Sequence, residues 1–192
     1  MNRALTTILD DGRIDVLKNA AETCAALPGA IAEVGVYWGG SLMWLSGMYP
    51  KKSVYGIDTF KGMPPVSEED KHKQGDFGGV DYEVVKSALE KRCPNVILLK
   101  GFFPDDVVDS LPEEFAMVHV DCDIYMSVKN CCEFFWPRLV SGGMMVFDDP
   151  GMPSCPGAAK AFREYGFEGG EILGVEEGLS WIVRKSRSQD GF

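Results

Sequence analysis

The chain has 192 residues and a formal charge of −10, which suits one domain and opposes a general affinity for nucleic acid or an anionic membrane. Both of those partners require clustered Lys and Arg. The six cysteines form no Cys-x-x-Cys pair, so we interpret them as buried thiols in a reducing compartment. The first residues lack the layout of a signal peptide, and Pro28, Glu33 and several glycines interrupt the apolar stretch before Pro50. We therefore predict a cytoplasmic protein without a membrane span.

Helices and strands are predicted to alternate along the chain. Helical spacing covers 13–27, within an N-terminal helical segment at 1–28 that ends at Pro28-Gly29. Apolar runs predict strands at 30–36, 52–58, 95–100, 115–121 and 142–148, with helices at 40–49, 81–92, 105–111 and 126–139. A helix at 156–165, a hairpin of 171–175 with 179–185, and a polar tail at 186–192 complete the prediction.

This pattern predicts an α/β fold. Repeated strand–helix–strand units imply a Rossmann-like, doubly wound and mostly parallel sheet with helices on both faces, here closed by a C-terminal antiparallel hairpin. We expect a single domain over residues 1–192. The stretch at 59–80 contains prolines, glycines and a run of charges without apolar periodicity. We interpret it as a mobile lid loop, because structureless segments of this length are often functional.

A glycine-rich turn follows the first predicted strand, in the stretch Glu33-Val-Gly-Val-Tyr-Trp-Gly-Gly-Ser41. A dinucleotide site requires a glycine where this chain has Tyr37, so NAD is disfavoured. The stretch instead resembles the first motif of class I S-adenosylmethionine-dependent methyltransferases. The resemblance implies that Gly35 and Gly39 make room for the amino-acid end of the cofactor. It also implies that Glu33 orients the loop and the cofactor's ammonium group.

Asp58 ends the second predicted strand, twenty-three residues after Gly35. A carboxylate accepts hydrogen bonds only, which suits it to binding the two ribose hydroxyls of the cofactor. The alternative is that Asp58 and Glu33 only cap helices or turns.

Three further acids end two strands that the sheet order would make neighbours. Asp121 ends one strand and Asp148-Asp149 the other, so these carboxylates would repel one another unless a cation neutralised them. Oxygen ligands favour Mg²⁺ or a similar hard divalent ion over zinc. The alternative is that one or two of these acids, or the nearby Asp123, cap helices.

Several spaced motifs together resemble the macrocin and mycinamicin O-methyltransferase family, over about residues 31–165. They are the stretches at 56–64, 100–105, 119–125, 137–143 and 147–149. The resemblance implies Asp121, Asp148 and Asp149 as metal ligands and places Gly101, Phe102 and Phe103 near the adenine. The predicted cofactor-binding residues are therefore Glu33, Gly35, Tyr37, Gly39, Ser41, Asp58, Thr59, Gly101, Phe102, Phe103 and Asp121.

The expected activity is transfer of a methyl group from S-adenosylmethionine to a hydroxyl of a small molecule, either a sugar moiety or a catechol-like compound. Catechol O-methyltransferases share this layout, but they use a lysine base where this chain has Ile124. Asp121 is the candidate proton acceptor, because it would be both a metal ligand and a neighbour of the reacting hydroxyl. His72 is a minor candidate base, and His119 is interpreted as a core residue. Two alternatives are a non-catalytic cofactor-binding protein and a metal-dependent phosphoesterase, the latter disfavoured because no basic cluster awaits a phosphate. Assembly of identical chains is left open.

Overall fold

A computed structural model describes residues 4–173 and 180–186 of the chain. These residues form a sheet of seven strands in the order β3-β2-β1-β4-β5-β7-β6. The first five strands run parallel, and β7 and β6 continue the sheet antiparallel. The predicted fold class is confirmed.

The helices and strands follow one another in near-regular alternation. The strands are β1 (Ala30–Val34), β2 (Val54–Asp58), β3 (Val96–Lys100), β4 (Phe115–Val120), β5 (Leu139–Phe147), β6 (Gly170–Leu173) and β7 (Trp181–Lys185). The helices are α1 (Asp11–Cys24), α2 (Gly40–Met48), α3 (Tyr82–Arg92), α4 (Tyr125–Arg138) and α5 (Pro156–Tyr165).

The register of the central strands brings their carboxyl ends to one edge of the sheet. Val34 of β1 pairs with both Ile57 of β2 and Val120 of β4, and Val120 pairs with Phe147 of β5. The residues that follow these four positions therefore lie side by side. The strand order also reverses at β1, with β2 and β3 on one side of it and β4 and β5 on the other. Such a switch point opens a crevice for ligands in doubly wound sheets.

Two hydrophobic layers cover the sheet. Phe115, Phe135, Phe147 and Phe162 belong to the layer that joins one face to α4 and α5. The opposite layer joins the sheet to α1, α2 and α3, and Leu42 is fully buried within it. Both β1 and β4 are buried along their whole length, so the strands that carry the central part of the crevice are held rigidly from both sides.

The structure differs from the sequence predictions in detail. The helix predicted at 105–111 is reduced to a 3₁₀ turn at Val108–Ser110. The carboxylate of Asp106 accepts a hydrogen bond from the Phe102 N–H at 2.8 Å, and such local side-chain bonds favour turns over helices. The predicted hairpin is present as β6 and β7, although its connection at 174–179 and most of the polar tail lie outside the described residues.

All six cysteines are free thiols. Within the described ranges, none of the helices combines the length and apolar character needed to cross a bilayer.

Candidate active site

A cleft runs along the sheet edge where β1, β2, β4 and β5 end. The structure brings nearly all of the predicted site residues to its walls, namely Gly35, Tyr37, Ser41, Asp58, Thr59, Gly101, Phe102, Phe103, Asp121, Asp148 and Asp149. Glu33 and Gly39 do not line it. Residues from the N-terminal segment and from the loop at 59–80 complete the walls.

Asp58 fastens the glycine-rich turn to the end of β2. Its Oδ2 atom accepts the N–H groups of Val36 at 2.9 Å and Tyr37 at 2.8 Å, and its Oδ1 atom accepts the N–H of Phe60 at 2.7 Å. Asp58 therefore caps a turn in the structure, as the alternative interpretation of this residue expected. Asp58 also lines the cleft, and its Oδ1 atom can accept a second hydrogen bond, so the predicted ribose contact stays a prediction.

Gly35 is required by a close approach between two strand ends. Its φ is +96°, and a Cβ placed there would lie 1.6 Å from the carbonyl oxygen of Asp121. The Asp121 N–H in turn donates to the carbonyl of Val34 at 2.9 Å. The glycine thus allows the end of β1 to lie tightly against the end of β4. This structural reason for a glycine adds to the predicted one, which is room for the amino-acid end of the cofactor.

Glu33 lies beneath the cleft, fully buried in the sheet. Its Oε1 atom is 2.8 Å from Nδ1 of His119, which is 1% exposed. The Oε2 atom has no hydrogen-bond partner among the described residues. His119 is therefore placed as the core residue that the sequence indicated, and Glu33 keeps one buried acceptor for which the described protein atoms supply no donor.

The walls near the predicted adenine position are built after β3. The Gly101 N–H donates to the carbonyl of Asp58 at 3.0 Å, so this turn lies directly beside the end of β2. The Phe103 ring stacks on Phe135 with centroids 5.1 Å apart and an angle of 7° between the planes. Phe103 is 5% exposed, so it anchors the wall to the core.

The three predicted metal ligands meet at the ends of β4 and β5. Asp121, Asp148 and Asp149 each present a carboxylate oxygen within 4.8 Å of the others. Asp148 and Asp149 are buried, whereas Asp121 is partly exposed to the cleft. Burial raises the pKa of Asp121 well above its usual value, and the charges of Asp149 and Asp148 raise it further. Burial followed by the charges of Asp123 and Asp148 raises the pKa of Asp149 in the same way.

Arg13 is a site residue that sequence reasoning missed. This residue of α1 places Nη1 2.5 Å from Oδ2 of Asp148. The Oδ1 atom of Asp148 accepts a hydrogen bond from the Ser180 hydroxyl at 3.3 Å. Arg13 also lines the cleft and donates through Nη2 to the carbonyl of Ile8. The chain separation from Asp148 is 135 residues, so only the packing of α1 against the sheet could reveal the contact.

The loop at 59–80 packs across the cleft without helix or strand structure. Its Phe77 ring meets Tyr37 at 5.8 Å between centroids. Oδ1 of Asp70 accepts the first N–H of α4, from Tyr125, at 2.8 Å, and Lys71 donates to the carbonyl of Pro153 at 2.7 Å. Gly157 of α5 permits this arrangement, since a Cβ there would lie 1.9 Å from Asp70 Oδ1. The mobility predicted for this loop stays a prediction.

The sheet order and the turn after β1 define a Rossmann-like methyltransferase fold. The structure of the O-methyltransferase NovP matches with a TM-score of 0.79 and 22% identity, over 94% of this chain and 82% of that one. The calicheamicin methyltransferase CalS11 matches with a TM-score of 0.75 and 23% identity, over 89% and 78% of the two chains. At these identities the likeness concerns the fold.

The family follows from the sequence comparison. The family model described as macrocin-O-methyltransferase (TylF) matches residues 2–168, and the chain therefore belongs to this family. The predicted resemblance is confirmed. The 8-demethyl-8-(2,3-dimethoxy-alpha-L-rhamnosyl)-tetracenomycin-C 4'-O-methyltransferase of Streptomyces olivaceus is 28% identical over 169 aligned positions, covering 79% of this chain and 65% of that protein. The mycinamicin III 3''-O-methyltransferase of Micromonospora griseorubida is 23% identical over 196 aligned positions, covering 91% and 77%. The chain thus matches just under two thirds of the first relative's length.

Proposed function

We propose that this chain is an S-adenosylmethionine-dependent O-methyltransferase that uses Mg²⁺ or a similar ion to methylate a hydroxyl of a small molecule. The observation that carries the proposal is the meeting of the glycine-rich turn and the acid cluster in one cleft. A protein that only bound the cofactor would need the turn and Asp58, but it would have no use for three converging carboxylates. The proposal extends the activity named for the family to this chain.

The donor set fits a hard divalent cation. Three carboxylates lie within 4.8 Å of one another, and Arg13 pairs with one of them. If all three acids are ionised, the cluster with Arg13 has a net charge of −2, which a divalent ion would neutralise. Carboxylate oxygens are the ligands that Mg²⁺ prefers, whereas Zn²⁺ is more often held by nitrogen and sulfur. Asp121, Asp148 and Asp149 are therefore the proposed ligands.

The roles of the chain's own residues follow from their positions. When bound, S-adenosylmethionine supplies the methyl group, and Mg²⁺ makes the acceptor hydroxyl more acidic and fixes its orientation. Asp121 is the proposed proton acceptor, because it is the most exposed of the three acids that line the cleft. Asp58 and the turn that it holds orient the donor, so positioning should supply much of the rate.

The acceptor class is inferred from the relatives. The names of the two curated relatives describe methylation of a rhamnosyl-substituted tetracenomycin and of mycinamicin III. A third relative, the demethyldecarbamoylnovobiocin O-methyltransferase of Streptomyces niveus, is 24% identical over 195 aligned positions. We accordingly favour a sugar hydroxyl on a natural product over a simple catechol.

Calorimetry and a product assay test the proposal together. S-adenosylmethionine is titrated with and without Mg²⁺, and formation of S-adenosylhomocysteine is followed with a panel of sugar nucleotides and glycosylated aromatic compounds. We expect cofactor binding to the wild type and product only when Mg²⁺ is present. No cofactor binding would refute the methyltransferase assignment. Cofactor binding without any effect of Mg²⁺ and without product would favour the non-catalytic binder.

Matched variants separate metal binding from proton transfer. Asp149→Asn should weaken Mg²⁺ binding at least about 100-fold while leaving cofactor affinity nearly unchanged, because a neutral amide replaces an anionic ligand. Asp109→Asn is the matched control, since Asp109 is exposed and lies outside the cleft walls. Asp121→Asn is assayed for rate and Mg²⁺ affinity together. A rate that falls only as far as metal occupancy falls would contradict the role of Asp121 as proton acceptor.

A further inference from the structure

A second group of potential metal ligands lies beside the acid cluster. His72 comes from the loop at 59–80, Asp123 from the turn between β4 and α4, and Cys155 from the residue preceding α5. Nε2 of His72 is 3.6 Å from Sγ of Cys155 and 3.8 Å from Oδ1 of Asp123. The same Sγ and Oδ1 atoms are 3.6 Å apart. One atom from each of three separate segments thus forms a nearly equilateral triangle.

The size of this triangle matches a tetrahedral metal site. Bond lengths of about 2.3 Å for Zn–S and about 2.0 Å for Zn–N and Zn–O place the ligand atoms roughly 3.3–3.6 Å apart. Cys155 forms sulfur hydrogen bonds with His72 and with Asp123, but the third separation, 3.8 Å between Nε2 of His72 and Oδ1 of Asp123, is too long for a hydrogen bond. The triangle is therefore only a few tenths of an ångström wider than an ion would require.

The orientation of His72 provides an independent observation. Its second ring nitrogen, Nδ1, lies 3.4 Å from Oδ2 of Asp76 on the same loop. Histidines that bind metals usually direct the other ring N–H to a carboxylate or carbonyl, which fixes the ring and leaves the ligating nitrogen unprotonated. Asp76 is in the position of that outer carboxylate, and Nε2 of His72 is the nitrogen directed toward Asp123 and Cys155.

We propose that His72, Asp123 and Cys155 form a second metal site, selective for a borderline-soft divalent ion such as Zn²⁺. A thiolate, an imidazole and one carboxylate favour Zn²⁺ over Mg²⁺, in contrast to the all-oxygen cluster of Asp121, Asp148 and Asp149. A neutral histidine with an ionised thiol and carboxylate also carries a charge of −2, so a divalent ion yields a neutral site. This proposal does not depend on the methyltransferase assignment.

The two sites are adjacent but have no side-chain ligand in common. The Asp123 N–H donates to Oδ2 of Asp149 at 2.9 Å, so a hydrogen bond connects them. Three protein ligands leave one tetrahedral position for water or another small ligand. Because His72 is on the loop and Cys155 precedes α5, an ion at this site would fasten the loop across the cleft.

Co²⁺ is a spectroscopic probe for this site, since its bond to a thiolate produces a charge-transfer absorption that oxygen ligands do not. The reduced full-length protein is first saturated with Mg²⁺, so that the acid cluster does not compete for the probe, and is then titrated with Co²⁺. We expect a thiolate-to-cobalt band that saturates at one equivalent and is displaced by Zn²⁺. Absence of the band at stoichiometric Co²⁺ would overturn the proposal.

The variants assign the band to its ligands. Cys155→Ser should abolish it, and His72→Ala should weaken Co²⁺ binding at least about tenfold. His72 is on a loop without regular structure, so this variant tests the site even if Cys155→Ser folds poorly. Cys122→Ser is the matched control, because Cys122 is the thiol that lines the cleft between Asp121 and Asp123, and the band should persist in it. A band that survives Cys155→Ser or disappears in Cys122→Ser would overturn the assignment.

Asp76→Asn gives a graded test of the outer carboxylate. It should weaken Zn²⁺ binding by about 10–100-fold, in line with the usual loss of such partners, and keep the cobalt band at saturation. Mg²⁺ affinity, measured in the same samples, should not change. Unchanged Zn²⁺ affinity in this variant together with an unchanged band in His72→Ala would exclude His72 as a ligand.

Discussion

The two halves of the cleft satisfy their acidic residues in different ways. In the half formed after β1 and β2, Asp58 accepts three backbone N–H groups at 2.7–2.9 Å. In the half formed after β4 and β5, Asp121 and Asp149 lie against other carboxylates, and burial with these charges raises the pKa of both. Arg13 forms an ion pair with one member of that cluster, Asp148.

This difference indicates which half depends on a ligand. A carboxylate that binds backbone amides is stabilised by the protein itself, so the half after β1 and β2, which is the proposed cofactor half, is formed in advance of binding. A cluster of buried like charges is destabilising until a cation arrives or protons bind. Stabilisation by a bound ligand should therefore be concentrated in the half after β4 and β5, the acid half. Substitutions in one half, or at the junction of the two, test this difference.

Gly35→Ala breaks the junction and should have the largest effect. The new Cβ would overlap the Asp121 carbonyl, which is backbone and cannot move without separating β1 from β4. We expect a loss of more than about 4 kcal/mol in the free energy of unfolding, measured by urea denaturation. Gly47→Ala is the control, because a Cβ at this exposed position of α2 meets no atom within 4 Å. It should stabilise the protein by up to about 1 kcal/mol, and equal effects of the two variants would contradict the close approach.

Arg13→Met removes the cation that pairs with Asp148 of the acid cluster. Breaking a buried ion pair by removing one partner costs about 3 kcal/mol, so the Mg²⁺-free protein should lose roughly that much stability. Saturating Mg²⁺ should recover part of the loss, and Mg²⁺ affinity should rise roughly tenfold because a neighbouring positive charge has gone. Thermal denaturation with and without Mg²⁺ measures both effects. Arg13→Lys keeps the charge and should not gain Mg²⁺ affinity, whereas weaker Mg²⁺ binding in Arg13→Met would contradict the electrostatic account.

The alternation of strands and helices and the acid cluster could be predicted because both depend on local patterns. Apolar runs of strand length marked β1, β4 and β5, and acids at the ends of neighbouring parallel strands must lie close together. Contacts with Arg13 and Cys155 could not be predicted in this way. They depend on how α1 and α5 pack in the fold. Arg13 is 135 residues from its partner Asp148, and Cys155 is 83 residues from its partner His72.

Asp58→Asn weakens the cofactor half alone. The amide can still accept a hydrogen bond through its oxygen, but the charge and one side of the carboxylate are lost. We expect a loss of about 1–2 kcal/mol in stability and a roughly tenfold weaker binding of S-adenosylmethionine. Calorimetry should give Mg²⁺ affinity like that of the control Asp109→Asn. A parallel loss of Mg²⁺ binding would mean that the two halves are not independent.

Gly157→Ala acts on the loop that covers both halves and should have the smallest effect. The added methyl group displaces the Asp70 carboxylate from the Tyr125 N–H, and loss of a helix cap costs about 1 kcal/mol. Asp70→Ala should cost more, because it also removes the hydrogen bonds that Asp70 accepts from the N–H and hydroxyl of Ser67. The double variant should cost little more than Asp70→Ala alone, because both changes remove the contact with Tyr125. Methyl transfer should slow, because the loop lines the cleft. Cofactor and Mg²⁺ affinities should remain near those of the wild type, because Thr59 is the one loop residue among the proposed cofactor and Mg²⁺ ligands. Additive stability losses in the double variant would show that Gly157 acts by another route.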